Sequence, residues 1–232
     1  VDLGLQAGES YPTPYQLNYH DTRREYFSII HSGNGDGWDQ NNPVMSSIIS
    51  YQGKIYLVDA GPNLLANLVA LGIGVEEIEG VFHTHSHDDH FAGLPVLIRS
   101  DHKIKYFSTK PVRIAVTKKL CALLDIEEAD FHVYFDVQDL ALEAWNSVNG
   151  LEVKPVFSPH PVETNYFLFR ALSESGYLTF AHMADIVSME VLEKMEQNEA
   201  RDGVSRAFVE RIRSNYLEQA DLKKIDVGGG LI

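Results

Sequence analysis

Cysteine is almost absent from this 232-residue chain: Cys121 stands alone, so no internal disulfide can form and no all-thiolate metal site can be built. Basic residues are also scarce, with 19 Lys and Arg against 33 Asp and Glu and a formal net charge of −14. A surface of that sign repels polyanions, which disfavours long nucleic acids as partners. The one local basic group, Arg99, His102, Lys103, Lys105, Lys110 and Arg113, reads as a solvated edge. No apolar run approaches the length of a membrane span, and the N-terminus lacks a basic-then-apolar leader, so the expectation is a cytoplasmic protein with no membrane partner. The chain begins with Val, as a processed or excised fragment would. Its hydrophobic content, 44%, suffices for one sizeable α/β core.

What is abundant is histidine, and it is concentrated. Val81-Phe82-His83-Thr84-His85-Ser86-His87-Asp88-Asp89-His90 follows an apolar, β-patterned segment with a short turn crowded with metal-ligand side chains. Such a cluster is costly near a core unless a cation organises it. In extended backbone, residues two apart share a side, so His85 and His87 can address one cation. Asp89 and His90 fall where the chain swings into a helix and can address a second. Imidazole nitrogen and carboxylate oxygen suit zinc, iron or manganese in an open, catalytic type of site. His83 lies deeper in the strand and is expected in the core or behind the ligands.

Residues 1–25, polar and Pro-rich, read as an arm or linker, and residues 26–232 as one domain. Phe27–Ile30, Val44–Tyr51 and Lys54–Asp59 pattern as strands, the last two joined at Gln52-Gly53. A helix is expected from Pro62 to Leu71, a strand over Val81–Thr84 and a helix over Asp89–Ile98. Val112–Val116 reads as a strand and Lys118–Leu124 as a helix. Strands follow at Leu151–Phe157, Tyr166–Leu172 and Tyr177–Ala181. Helices follow over Met189–Gln197 and Val204–Ala220, the latter with Val204, Phe208, Ile212 and Leu217 at near-helical spacing. The Gly-rich stretch Ser32–Gly37 fits neither a calcium loop nor a nucleotide fingerprint and reads as a rim of the site, with Trp38 facing substrate. Cys121 reads as a core residue.

His85-Ser86-His87-Asp88-Asp89-His90 resembles the H-x-H-x-D-H signature of the metallo-β-lactamase-fold hydrolases, and Ile55-Tyr56-Leu57-Val58-Asp59-Ala60-Gly61 resembles their strand ending in Asp and Gly. His90-Phe91-Ala92-Gly93-Leu94-Pro95 is most similar to the ribonuclease Z and phosphodiesterase branch. The resemblance implies an α/β, four-layer αββα sandwich and two divalent metal ions, zinc foremost. It implies that His85, His87 and His160 hold one metal, Asp89 and His90 the other, and Asp185 both. Asp89 and Asp185 are the candidate catalytic carboxylates; Asp59, His83 and His182 stand behind the ligands, with His182 the substitute for Asp185. The family usually has Gly before this last Asp, so Ala184 is expected to turn the backbone less sharply.

The implied activity is hydrolysis by a metal-bridging hydroxide, most simply of a small phosphodiester. The alternatives are a lactone, thioester or β-lactam hydrolase, a diiron redox or oxygen-sensing module, and a catalytically silent interaction domain. A homodimer is compatible with all of these. The resembled family adds a further His late in the domain, and no His follows His182 here. The expectation is therefore a domain cut short at its C-terminus, with a weaker second metal and nearer one metal than two per chain.

Overall fold

The computed structural model describes residues 13–197 and 203–225; the first twelve residues of the expected arm and the Gly-rich end from Asp226 lie outside them. Strands β1 (Phe27–Gly33), β2 (Ser46–Tyr51) and β3 (Lys54–Val58) lead into α1 (Leu64–Ala70). Then come β4 (Ile78–Phe82), α2 (Asp88–Phe91), α3 (Leu94–Leu97), β5 (Ile104–Ser108), α4 (Lys110–Leu124), α5 (Phe131–Tyr134) and β6 (Phe135–Asp139). The second half contributes β7 (Asn146–Val148), β8 (Leu151–Phe157), β9 (Asn165–Ser173), β10 (Gly176–His182), α6 (Met189–Gln197), α7 (Arg206–Leu217) and β11 (Leu222–Lys224).

Strands β1 to β6 form one sheet in sequence order, antiparallel up to β3 and parallel from there. The second sheet runs β11-β10-β9-β8-β7, antiparallel except for the parallel β10–β11 pair. Strand alternation decides which layer each side chain joins. On β3, Tyr56 and Val58 face the second sheet while Ile55 and Leu57 face the helices. On β9, Phe167 and Phe169 meet the first sheet while Tyr166 and Leu168 meet α6 and α7. The architecture is thus helices, sheet, sheet, helices: the four-layer αββα sandwich.

Several local expectations give way to tertiary context. Val112–Val116 is not a strand but part of α4. Its alternation of apolar residues is incidental, because Val112, Val116 and Leu120, four apart, form the buried stripe, while Ile114 is 39% exposed. The helix expected over Asp89–Ile98 is two short helices. The Gly93 amide leaves the helical ladder to bond the Ala60 carbonyl at 2.7 Å, and a Cβ at Gly93 would lie 2.1 Å from the Gly61 carbonyl oxygen. The chain breaks there so that the exit of β3 can press against the segment that follows His85–His90. On α7 the buried positions are Val209, Ile212 and Tyr216, and Leu217 is 71% exposed, so the inward face is turned from the one expected. Residues 13–25 have no regular structure and lie along α1, with the Tyr15 hydroxyl on Asn67 and the Thr22 hydroxyl on the Leu71 carbonyl.

Candidate metal centre

The strand ends converge. His85 and His87 follow β4, Asp89 and His90 open α2, His160 lies in the turn after β8, Asp185 follows β10, and Asp59 follows β3. Among the described residues, donor atoms of His85, His87, His160 and Asp185 lie within 4.8 Å of one another, and so do those of Asp89, His90 and Asp185.

Within the first group, His87 Nδ1 is 3.2 Å from His85 Nε2 and 3.0 Å from His160 Nε2. Asp185 Oδ2 is 3.5 Å from both His85 Nε2 and His160 Nε2. These separations fit the edge, about 3.3 Å, of a tetrahedron whose metal–ligand bonds are about 2.0–2.1 Å. In the second group, His90 Nε2 lies 3.3 Å from Asp89 Oδ2 and 3.1 Å from Asp185 Oδ1. The two oxygens of Asp185 therefore face different groups. Four nitrogen and oxygen donors on one side and three on the other suit divalent cations, so the residues fit the metals their chemistry implies.

A buried network sets the imidazole tautomers. His90 Nδ1 donates to Asp59 Oδ2 at 2.7 Å, leaving Nε2 for the cluster. Asp59 also accepts from the Thr84 amide (2.8 Å) and hydroxyl (2.7 Å), and that hydroxyl lies 3.0 Å from His85 Nδ1. With its own proton given to Asp59, the Thr84 oxygen accepts the Nδ1–H of His85 and leaves His85 Nε2 bare. Thr84 escaped the sequence reading, although an oxygen side chain beside a candidate His ligand was the available signal. Lys119 carried none: from α4, its Nζ donates to the Ser86 carbonyl at 2.6 Å and braces the ligand loop from behind.

Electrostatics follow from burial and charge. Burial, reinforced by His90, His160 and His87, lowers the pKa of His85, so its imidazole is neutral and ready to ligate. Burial also opposes protonation of His90, but Asp59, Asp185 and Asp89 outweigh it and raise the pKa well above the usual value. A cation binding at His90 Nε2 must displace that proton, so affinity there rises with pH. Burial raises the Asp59 pKa, but His90 prevails and lowers it overall.

His182 belongs to neither group. It is fully buried, its Nδ1 is 3.0 Å from the Ser47 hydroxyl, and its Nε2 is 3.9 Å from Asp59. Burial lowers its pKa to about 3. The unfolded chain therefore takes up a proton below about pH 6.5 that the folded chain refuses. Stability is complete above that pH and falls from this group by about 1.4 kcal/mol per unit as pH drops toward 3. In urea titrations between pH 7 and 4, His182→Leu is expected to show a shallower pH slope by one proton; an unchanged slope defeats the assignment.

His83, also fully buried, packs against Tyr106 and Phe91, with ring centroids 5.8 and 6.3 Å away. Ala184 does not turn gently: its φ is 47°, in the left-handed region. The turn that aims Asp185 is thus made at a steric cost that Gly would avoid. Ala184→Gly is expected to raise unfolding free energy by about 0.5–1 kcal/mol, read by chemical denaturation.

A cavity of about 870 Å³ opens over the two groups. Its lining includes Asp36, Gly37 and Trp38 from the loop after β1, and the apolar Phe157, Ile186, Val187, Val191 and Met195. Among the described residues lining it there is no Lys or Arg.

Comparison with known proteins is consistent with this site. The family model described as "Anti-Pycsar protein Apyc1" matches residues 27–201. A ribonuclease Z of Clostridium kluyveri is 42% identical over 60 residues, 26% of this chain and 19% of the relative. The cAMP/cGMP-dependent 3',5'-cAMP/cGMP phosphodiesterase B of Dictyostelium discoideum is 24% identical over 175 residues, 75% of this chain but 15% of the relative. The chain thus spans under a fifth of either. The metallo-beta-lactamase fold protein YhfI of Bacillus subtilis superposes with a TM-score of 0.56 at 16% identity, covering 71% of this chain and 64% of that one, a likeness of fold.

Proposed function

The chain belongs to the family of the anti-Pycsar protein Apyc1, and from that premise we propose that it is a metal-dependent phosphodiesterase acting on a small phosphodiester. The observation that carries this reading is Asp185, whose two oxygens lie against different donor groups at 3.5 and 3.1 Å. In this reading His85, His87, His160 and Asp185 hold one divalent cation, and Asp89, His90 and Asp185 hold a second, zinc, iron or manganese. Cations held there would supply an activated water at neutral pH and an electrophile for a phosphoryl oxygen.

The chain's own residues do the rest. Asp59 and Thr84 fix the tautomers of His90 and His85, and Lys119 holds the backbone between His85 and His87. Phe157, Ile186, Val187, Val191 and Met195 give the cavity an apolar lining for the part of a substrate beyond its phosphate. Two observations favour a small substrate over a nucleic-acid chain: the net charge of −14 and the lack of Lys or Arg among the described lining residues. The similarity to a phosphodiesterase named for 3',5'-cAMP and cGMP puts cyclic nucleotides first among substrates to try.

The test is a panel with the metal-loaded protein: 3',5'-cyclic nucleotides, bis(p-nitrophenyl) phosphate, a transfer-RNA precursor, a thioester and a lactone. Turnover of the small phosphodiesters, abolished by chelator and restored by metal, is expected. Turnover of the thioester or lactone alone makes it a carbonyl hydrolase, and cleavage of the RNA alone overturns the substrate size.

A further inference from the structure

Trp38 is 88% exposed, although it borders the cavity and is the kind of side chain a fold normally covers. Its surroundings show that this exposure is built. The Trp38 amide donates to Asp36 Oδ1 at 3.0 Å, and Asp39 accepts from the Asn41 amide and the Asn41 and Asn42 side chains at 2.7–2.9 Å. The base of the loop is closed by the Gly35 amide on the Pro43 carbonyl (2.7 Å) and the Met45 amide on the Gly35 carbonyl (2.8 Å). Both aspartates flanking the indole are thus used to brace the loop, and the indole itself is left free.

The loop is also set directly on the candidate metal centre. Gly37, with φ of 82°, lies so close to Asp89 that an added Cβ would sit 2.7 Å from Oδ2 and 2.8 Å from the Asp89 Cβ. Only glycine allows this approach, and it places Trp38 next in the chain to a residue packed on Asp89, a member of the second donor group. Because no Lys or Arg lines the cavity among the described residues, the part of a ligand beyond its phosphate meets no fixed cation. It meets Trp38 and the apolar side chains of Phe157, Ile186, Val187, Val191 and Met195, which line the same cavity. An exposed indole among apolar side chains suits a flat, uncharged ring.

We propose that Trp38 is a specificity-determining residue whose indole stacks on the nucleobase of a nucleoside phosphodiester while the phosphate lies at the metal centre. This rests on the phosphodiesterase reading for its kinetic arm but not for its binding arm. Stacking of one base contributes enough that removing the indole is expected to raise KM for 3',5'-cyclic AMP about 10- to 100-fold. Trp38→Ala should do this with little change in kcat, and Trp38→Phe should recover most of the loss. For trimethylene phosphate, a cyclic phosphodiester with no base, kcat/KM should stay within about twofold, the hallmark of lost uniform binding confined to the base.

The second arm uses the only other tryptophan, Trp145, which lies over Arg170, its ring centroid 4.0 Å from that guanidinium, and outside the cavity lining. In metal-loaded Trp145→Phe protein, AMP and cyclic AMP are expected to quench the remaining indole fluorescence, while trimethylene phosphate does not. Equal losses on the two substrates, or unchanged KM for cyclic AMP, overturn the proposal, as does absence of quenching. If no phosphodiester is turned over but AMP still quenches, the phosphodiesterase reading fails and the base platform stands.

Discussion

Asp185→Asn is expected to lower phosphodiester hydrolysis by at least about a hundredfold, the upper end of what loss of an outer partner of a ligand costs. Among the described residues it is the one side chain common to both donor groups, with Oδ2 toward His85 and His160 and Oδ1 toward His90. An amide keeps the volume but replaces one charged acceptor with a donor that cannot ligate. Both sites should therefore weaken at once, whereas His160→Ala should weaken only the group containing His85 and His87. The measurement is competition of metal-free protein with a chromogenic chelator, beside the hydrolysis assay. Two unaltered metal affinities in Asp185→Asn would end the shared-ligand reading. Loss of activity with both metals retained would make Asp185 a group acting on substrate instead.

Removing Asp59 should damage the fold more than the surface of the site. Asp59 is fully buried and accepts from His90 Nδ1, the Thr84 amide and the Thr84 hydroxyl. Asp59→Ala leaves the buried His90 Nδ1–H and the two Thr84 donors lacking their acceptor. Deleting one partner of a buried pair costs about 3–5 kcal/mol. Urea unfolding of the metal-free protein near pH 7 should show that loss, and Asp59→Asn, which keeps an acceptor for Thr84, should show a smaller one. Equal stability of Asp59→Ala and the parent chain would mean that the network contributes nothing.

The sequence reading reached the site more easily than some of the elements around it. The segment His85–His90 is contiguous, and its chemistry is local: donors spaced along a strand exit and a helix start fall near one another whatever the rest of the chain does. His160 and Asp185 were reachable only through the family resemblance, which implies a ligand at each of those positions. The strand expected over Val112–Val116 failed for the opposite reason. β5 is a short buried parallel strand, and α4 carries an apolar pattern that alternation and helical spacing explain equally well. Packing against the first sheet chose the helix. The same holds for α7, where the inward face is set by contact with Tyr166 and Leu168 on the second sheet rather than by intrinsic periodicity.

By itself, the sequence determined an α/β chain and its donor chemistry, because hydrophobic period and ligand identity are written residue by residue; the αββα layering was implied by the family resemblance. The tertiary structure alone decided how those donors divide. Four strand ends from two sheets had to meet before Asp185 could turn one oxygen to each group, before Thr84 could join Asp59 to His85, and before Gly37 could seat an exposed Trp38 against Asp89. Such relations join residues tens to a hundred positions apart, and their energy comes from burial, which no local pattern encodes.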